Sequence, residues 1–224
     1  MAATAPVLAA PTAAAQPAKQ PGTAAVKQAN DTISNLLKQK VAAGSKEEKE
    51  LAAKVTTSVR NFLDIDELGK AAMVDHWAKL SKAQQDEYLK TLRALIEANY
   101  INGLRANLAY KVDYVGEAAK DGKTVVNTKV TAQRKGRPLT IAIDYVLVPS
   151  GGSLRAMDVV TDGVGLVDNY RTMFNKIMNE KGFGVLIQKM KDKLAQINAQ
   201  AAANANGGAA GSGSAAPAPA PKKS

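Results

Sequence analysis

"KTVVNTKVTAQRKGRPLTIAIDYVLV", residues 123–148, alternates apolar and polar side chains through most of its length, with Gly136 breaking it near the middle. A period of two sends successive side chains to opposite faces, so the stretch predicts two strands joined by a tight turn. In the later strand Leu139, Ile141, Ile143, Tyr145 and Leu147 share one face, while Thr140, Ala142 and Asp144 begin the other. Val126, Thr128 and Val130 offer the matching side of the earlier strand. Working outward, "LAYKVDYVGEA" (108–118) adds Tyr110, Val112 and Tyr114 in the same rhythm, and "SLRAMDVVTDG" (153–163) supplies a fourth strand. Asp121-Gly122 and Ser150-Gly151-Gly152 are hairpin signals. Connections this short make an antiparallel meander.

On both sides of the strands the period becomes 3.6. Val26, Ile33, Leu36, Leu37 and Val41 recur at helical spacing, and Gly44 closes that segment. Ser45 with Glu48 forms a capping-box pattern ahead of Leu51, Val55, Val59 and Phe62–Leu63. "DIDELGKAAM" (64–73) is a short helix. Ser81 with Gln84 opens the longest one, residues 82–104, on which Tyr88, Leu92, Leu95, Ile96, Asn99 and Gly103 keep one stripe. After the strands come Leu166–Glu180, with Tyr170, Met173, Phe174 and Ile177 inward, and Val185–Ile197, with Leu186, Ile187, Met190 and Leu194. The chain is therefore expected to be α+β: a curved four-stranded meander with helices before and after it. A sheet wrapped round a long helix makes a cone, and a cone can enclose an apolar cavity.

Residues 1–24 are Ala- and Pro-rich and 199–224 Ala-, Gly- and Pro-rich, and both carry too little apolar surface to offset the entropy of ordering them. They are expected to be disordered around a domain at 25–198. The first of them reads either as the remnant of a trimmed export signal or as a linker. The chain has no cysteine, which excludes disulfides and thiol chemistry. Its net charge is +10, but the cations are interleaved with acids, as in "GSKEEKELAAK", the pattern of a solvated surface. No stretch approaches the ~20 apolar residues of a membrane span.

Catalytic constellations are scarce. His76 is the only histidine and lacks an orienting partner, since the adjacent Asp75 faces elsewhere on a helix. One histidine cannot build a metal site, and phosphate-loop and nucleophile-elbow motifs are missing. Asp64 and Asp66 read as caps of the following helix. Asp144 and Asp158 are the candidates for a buried acid of raised pKa, and with them the alternative of a cone-fold enzyme, or a binding module, for another small hydrophobic ligand. Nucleic-acid binding would interleave aromatics with cations; here tyrosines alternate with Val, Ile and Leu instead.

One resemblance covers residues 60–190. "RNFLDIDELGKAAMVDHWAKLSKAQQDEYLKTLRALIEANYINGL" (60–104), "DGKTVVNTKV" (121–130), "IDYVLV" (143–148) and above all "MDVVTDGVGLVDNYRTMFNKIMNEKGFGVLIQKM" (157–190) resemble the MlaC / toluene-tolerance family. Two positions depart from that pattern: Gly165 replaces the usual small residue of Gly-Val-Ser, and Leu154 stands where an aromatic is common. The resemblance implies a cone-like, NTF2-like fold and a soluble periplasmic phospholipid carrier, not an enzyme, although a complete signal peptide is lacking. It implies lipid as cargo rather than a cofactor, and no nucleic-acid partner. The implied partners are an outer-membrane lipoprotein–porin complex and an inner-membrane ABC transporter with an MCE-domain ring. A monomer is expected. The lipid-binding residues expected on this basis are Leu95, Tyr100, Leu104, Val112, Tyr114, Val130, Ile141, Ile143, Tyr145, Val164, Leu166, Tyr170, Phe174 and Leu186, with Gly163 and Gly165 turning the chain at the rim.

Overall fold

Residues 123–134 and 137–148 form two neighbouring strands of one antiparallel sheet. The computed structural model describes residues 20–42, 44–104, 110–134 and 137–206. Its strands are β1 (Tyr110–Lys120), β2 (Lys123–Arg134), β3 (Arg137–Ser150), β4 (Ser153–Thr161) and β5 (Val164–Gly165), and their spatial order is their chain order. The meander is as expected, with one strand more than the four anticipated. After Gly163 the chain doubles back, so that Val164 and Gly165 pair with Thr161 and Val160. Two residues leave no alternation to detect.

The register defines an inner face. Val112 stands opposite Val130, and Val130 opposite Ile141; Tyr145 stands opposite both Val126 and Val159. Val126, Ile143, Tyr145, Leu147, Ala156 and Val159 are buried there, whereas Lys111, Asp113, Lys129 and Thr140 of the outer face are exposed. The β1–β2 ladder shifts between Tyr114 and Gly116, a bulge that leaves Val115 60% exposed. Beyond it, Glu117 stands opposite Val126.

The helices are α1 (Pro21–Leu37), α2 (Lys46–Phe62), α3 (Ile65–Ala72), α4 (Val74–Trp77), α5 (Lys82–Leu104) and α6 (Leu166–Asn206). Within α6, Gly182 has φ 76° and ψ 178°, so the two helices expected after the strands meet at that glycine. The second runs on through an alanine-rich stretch to Asn206, alanine being the strongest helix former. Both serine caps form: Ser45 accepts from the Glu48 amide at 3.1 Å, and Ser81 and Gln84 bond reciprocally at 2.9 and 3.3 Å.

α1 begins at Pro21, earlier than its apolar spacing suggests, because its anchor is remote. The Glu117 carboxylate accepts from the amides of Gly22 (3.3 Å) and Thr23 (2.7 Å), meeting the positive end of the helix dipole. Gly22 lies so close over β2 that a Cβ there would be 2.7 Å from Thr124 Cγ2. α1 thus covers β1 and β2, while α2, α3 and α6 approach β4 and α5 packs on α2, α3 and α6. Ion pairs join the helices: Arg60 to Glu97, Lys191 to Glu87, and Arg93 to Asp66 through two bonds of 2.7 and 2.6 Å. The last corrects an expectation. Only Asp64 caps α3, accepting from the Glu67 amide at 3.3 Å; Asp66 holds Arg93 on α5 instead.

Candidate binding site

Burial along the inner face is graded. On β3, Leu147, Tyr145 and Ile143 are buried, Ile141 is half-buried, Leu139 is 38% exposed and Arg137 lies open. On β2 the sequence runs from Val126 and Thr128, both buried, to Val130 and Ala132, half-buried; on β1, Tyr114, Val112 and Tyr110 are half-buried. The apolar face is therefore sealed toward the β1–β2 and β3–β4 turns and opens toward the β2–β3 turn. The Thr128 hydroxyl, buried within it, donates to the Ile143 carbonyl at 2.7 Å, so no unmet polar group interrupts the surface. Large apolar side chains half-covered at one end of a sealed face make this end the candidate mouth of a binding site.

α1 forms the wall beside β1. Asn30 donates to the Tyr114 hydroxyl at 3.3 Å, and Ser34 hydrogen-bonds the Tyr110 phenol. Burial raises both phenols above their ordinary range. Opposite, Phe62 meets Tyr145 edge-on at 5.6 Å. Of the expected residues, Val112, Tyr114, Val130, Ile141, Ile143 and Tyr145 come together on this face, and Leu95 is buried in the core on α5. The side chains of Tyr100 and Leu104 fall outside the described residues.

The residues of α6 group differently. Phe174 stacks on Tyr170 at 5.2 Å and meets Tyr88 of α5 edge-on at 5.7 Å, while Tyr88 in turn meets Trp77 at 6.2 Å. Burial pushes the Tyr170 phenol up to about 12. Leu186 is buried and Leu166 half-buried in the same core. Val164 departs from expectation: it is 52% exposed, because on β5 it is Gly165 that turns inward. Leu139 and Arg137 lie at the mouth although they are not among the expected site residues; extending the alternation of β3 toward Gly136 points to both.

The corner at residues 158–168 is structural. Asp158 accepts from the amides of Val159 (2.8 Å) and Val167 (3.0 Å), so its carboxylate sits at the start of α6. Gly165 presses against it, and a Cβ there would be 2.8 Å from Asp158 Oδ2. The acid is thus engaged by backbone, and Asp144 lies on the outer-face series, opposite Asn127 and Val160. Burial raises the Asp158 carboxyl above its ordinary value of 3.8, against the pull of those amides. As pH climbs past that value the unfolded chain loses this proton first, so the group's contribution to stability falls until the folded carboxyl also ionises. Asp158→Asn is expected to remove that decline: over the weakly acid range, urea unfolding should show the stability difference moving in the variant's favour as pH rises. A difference independent of pH would mean that the carboxyl titrates alike in both states.

Among the described residues no group of His, Asp and Glu could hold a metal ion, and no helix is long and apolar enough to cross a membrane. The fold is α+β, a curved antiparallel sheet with flanking helices, and its apolar sheet face opens at one end. The family model described as "MlaC protein" matches residues 27–192. The chain belongs to that family. It is similar to the intermembrane phospholipid transport system binding protein MlaC of Haemophilus influenzae, with 23% identity over 146 residues that cover 62% of this chain and 68% of the relative. It also shares its fold with a phospholipid-binding protein from Ralstonia solanacearum solved in complex with a phospholipid: TM-score 0.64, 22% identity, covering 78% of this chain and 97% of that one.

Proposed function

We propose that the protein is a phospholipid carrier, with acyl chains lying against the inner face between β1–β3 and the covering helices. The observation that carries this reading is the β3 series Ile143, Ile141, Leu139, which passes from buried to exposed without a polar interruption on that face. Membership of the MlaC family and the phospholipid binding of the two relatives support it. The binding residues would be Val112, Tyr114, Val130, Ile141, Ile143 and Tyr145, backed by Leu95, within a domain spanning 25–198.

The energetics suit transport. Hiding a chain of about 15 methylenes from water, at ~0.8 kcal/mol each, stabilises the complex by roughly 12 kcal/mol. Moving the same chain to or from a membrane changes little, since both media are apolar. Leakage into water is thereby blocked while exchange with membrane complexes stays open, and no reactive side chain is required. On this reading the protein is not an enzyme. It works as a monomer in the periplasm, ferrying lipid between an outer-membrane lipoprotein–porin complex and an inner-membrane ABC transporter with an MCE-domain ring.

Native mass spectrometry tests it. The purified wild type is expected to carry the mass of a two-chain phospholipid, and Ile141→Trp or Val130→Trp, which fill the mouth, should reduce lipid occupancy severalfold. A wild type that loads no lipid from vesicles, or full occupancy in both variants, would sink the reading.

A further inference from the structure

The passage from open to sealed on the inner face is abrupt. Leu139 is 38% exposed, and Ile141 and its partner Val130 are half-buried. The next pair along the two strands, Ile143 and Thr128, is 1% exposed at each residue. Behind that pair Val126 and Leu147 are fully buried, and Tyr145 is buried against Phe62. A groove entered from the Leu139 end therefore stops at a single row of the sheet.

The residues of that row are suited to act as a stop. Thr128 and Ile143 stand directly opposite each other, and the Thr128 hydroxyl donates to the Ile143 carbonyl at 2.7 Å. Both side chains branch at Cβ, which leaves χ1 little freedom. The interior packed behind them has no room to yield. An end wall of this kind does not give way to a chain pressed against it.

The depth agrees with the cargo. From Leu139 to Ile143 is four residues of strand, roughly 13 Å. One acyl chain fills half of a ~30 Å bilayer core, about 15 Å. A chain of ordinary length thus reaches the stop with its ester end at the mouth.

Resting on the carrier reading, we propose that Thr128 and Ile143 form the floor of the acyl groove and set an upper limit on the chain length of the phospholipid carried. Below that limit a methylene passes from one apolar medium to another, and length makes no difference. Above it each further methylene is left in water, and is disfavoured roughly fourfold against the bilayer.

The test loads lipid-free protein from vesicles holding equal parts of phosphatidylcholines alike in unsaturation. Their chains lengthen two carbons at a time from about 14 to about 22 carbons, bracketing the length that fills half a bilayer. Native mass spectrometry gives the bound ratios. The wild type is expected to take up the shorter members evenly and then to fall, past one length, on the order of tenfold per step. Ile143→Ala lowers the floor and should move that fall one step toward the longer lipids. Ile143→Val removes a single methyl group and should raise the bound share of the first excluded lipid by about twofold to fourfold. It decides the test alone should the alanine variant fail to fold. Phe174→Ala, equally buried but remote from the floor, should leave the fall where it is in the wild type. A wild type without a fall, or Ile143 variants that keep it at the wild-type length, overturns the proposal and leaves the carrier reading standing. So does an equal shift in Phe174→Ala, since a loosened core and not the floor would then set the limit. A wild type that loads no lipid overturns both.

Discussion

Arg155→Ala is expected to lower the free energy of unfolding by about 3–5 kcal/mol, the range for breaking a buried ion pair at one partner. Arg155 on β4 reaches across to the end of α2, donating to the carbonyls of Arg60 (2.7 Å) and Leu63 (2.8 Å) and to Asp64 Oδ2 (3.1 Å). Asp64 is buried and also accepts from the Ser150 hydroxyl at 2.8 Å. Beside this cluster, Leu63 bridges to Ala156, and the Asp64 amide donates to the Ala156 carbonyl at 2.8 Å. One guanidinium therefore joins the helical layer to the sheet. Its removal leaves a carboxylate in the interior without its cation, and two carbonyls without donors. Urea unfolding measures the loss. Arg155→Met combined with Asp64→Asn should recover part of it, because the stranded charge is gone. A loss below about 1 kcal/mol would place the pair with exposed ion pairs, whose contribution is small.

Phe174→Ala is expected to cost about 3–5 kcal/mol, as for large-to-small changes at buried aromatics. Phe174 is 1% exposed and lies between Tyr170 and Tyr88, the second of which donates its hydroxyl to the Gly69 carbonyl of α3 at 3.0 Å. The ring thus fills the junction of α3, α5 and α6, and a void there loses contacts on every side. Denaturant unfolding checks the cost; mass spectrometry of the folded fraction checks the role. Lipid per folded molecule should stay near the wild-type level, since the proposed carrier reading lines the mouth from the sheet. Full stability together with lost lipid would make Phe174 a wall of the binding site instead.

The strands were readable in the sequence because their periodicity is local: each residue of 123–148 carries its own sign of inside or outside. Helix starts at Ser45 and Ser81 were readable for the same reason, each cap lying within three residues of its partner. What the sequence conceals is non-local. The start of α1 depends on Glu117, and the partner of Asp66 is Arg93 on another helix; neither follows from spacing. Val164 illustrates the converse. Its apolar side chain in an apolar run suggests an interior wall, yet the two-residue strand β5 directs it outward. Six of the expected binding residues do share one face, and all six belong to strands, where alternation decides the side. The four on α6 and Leu95 on α5 lie on helices whose apolar stripes serve the packing of helix on helix as well, and periodicity does not separate the two uses.

The bulge at Val115 has an effect on the far side of the domain's cover. If Tyr114 to Glu117 alternated strictly with no bulge, Glu117 would point to the solvent side and Gly116 and Ala118 would lie beneath the helix. Absorbing Val115 outside the ladder therefore does more than bend a strand. A β1 that paired straight through would turn the anchor of α1 away from its mooring, and the wall beside Tyr114 would be left adrift.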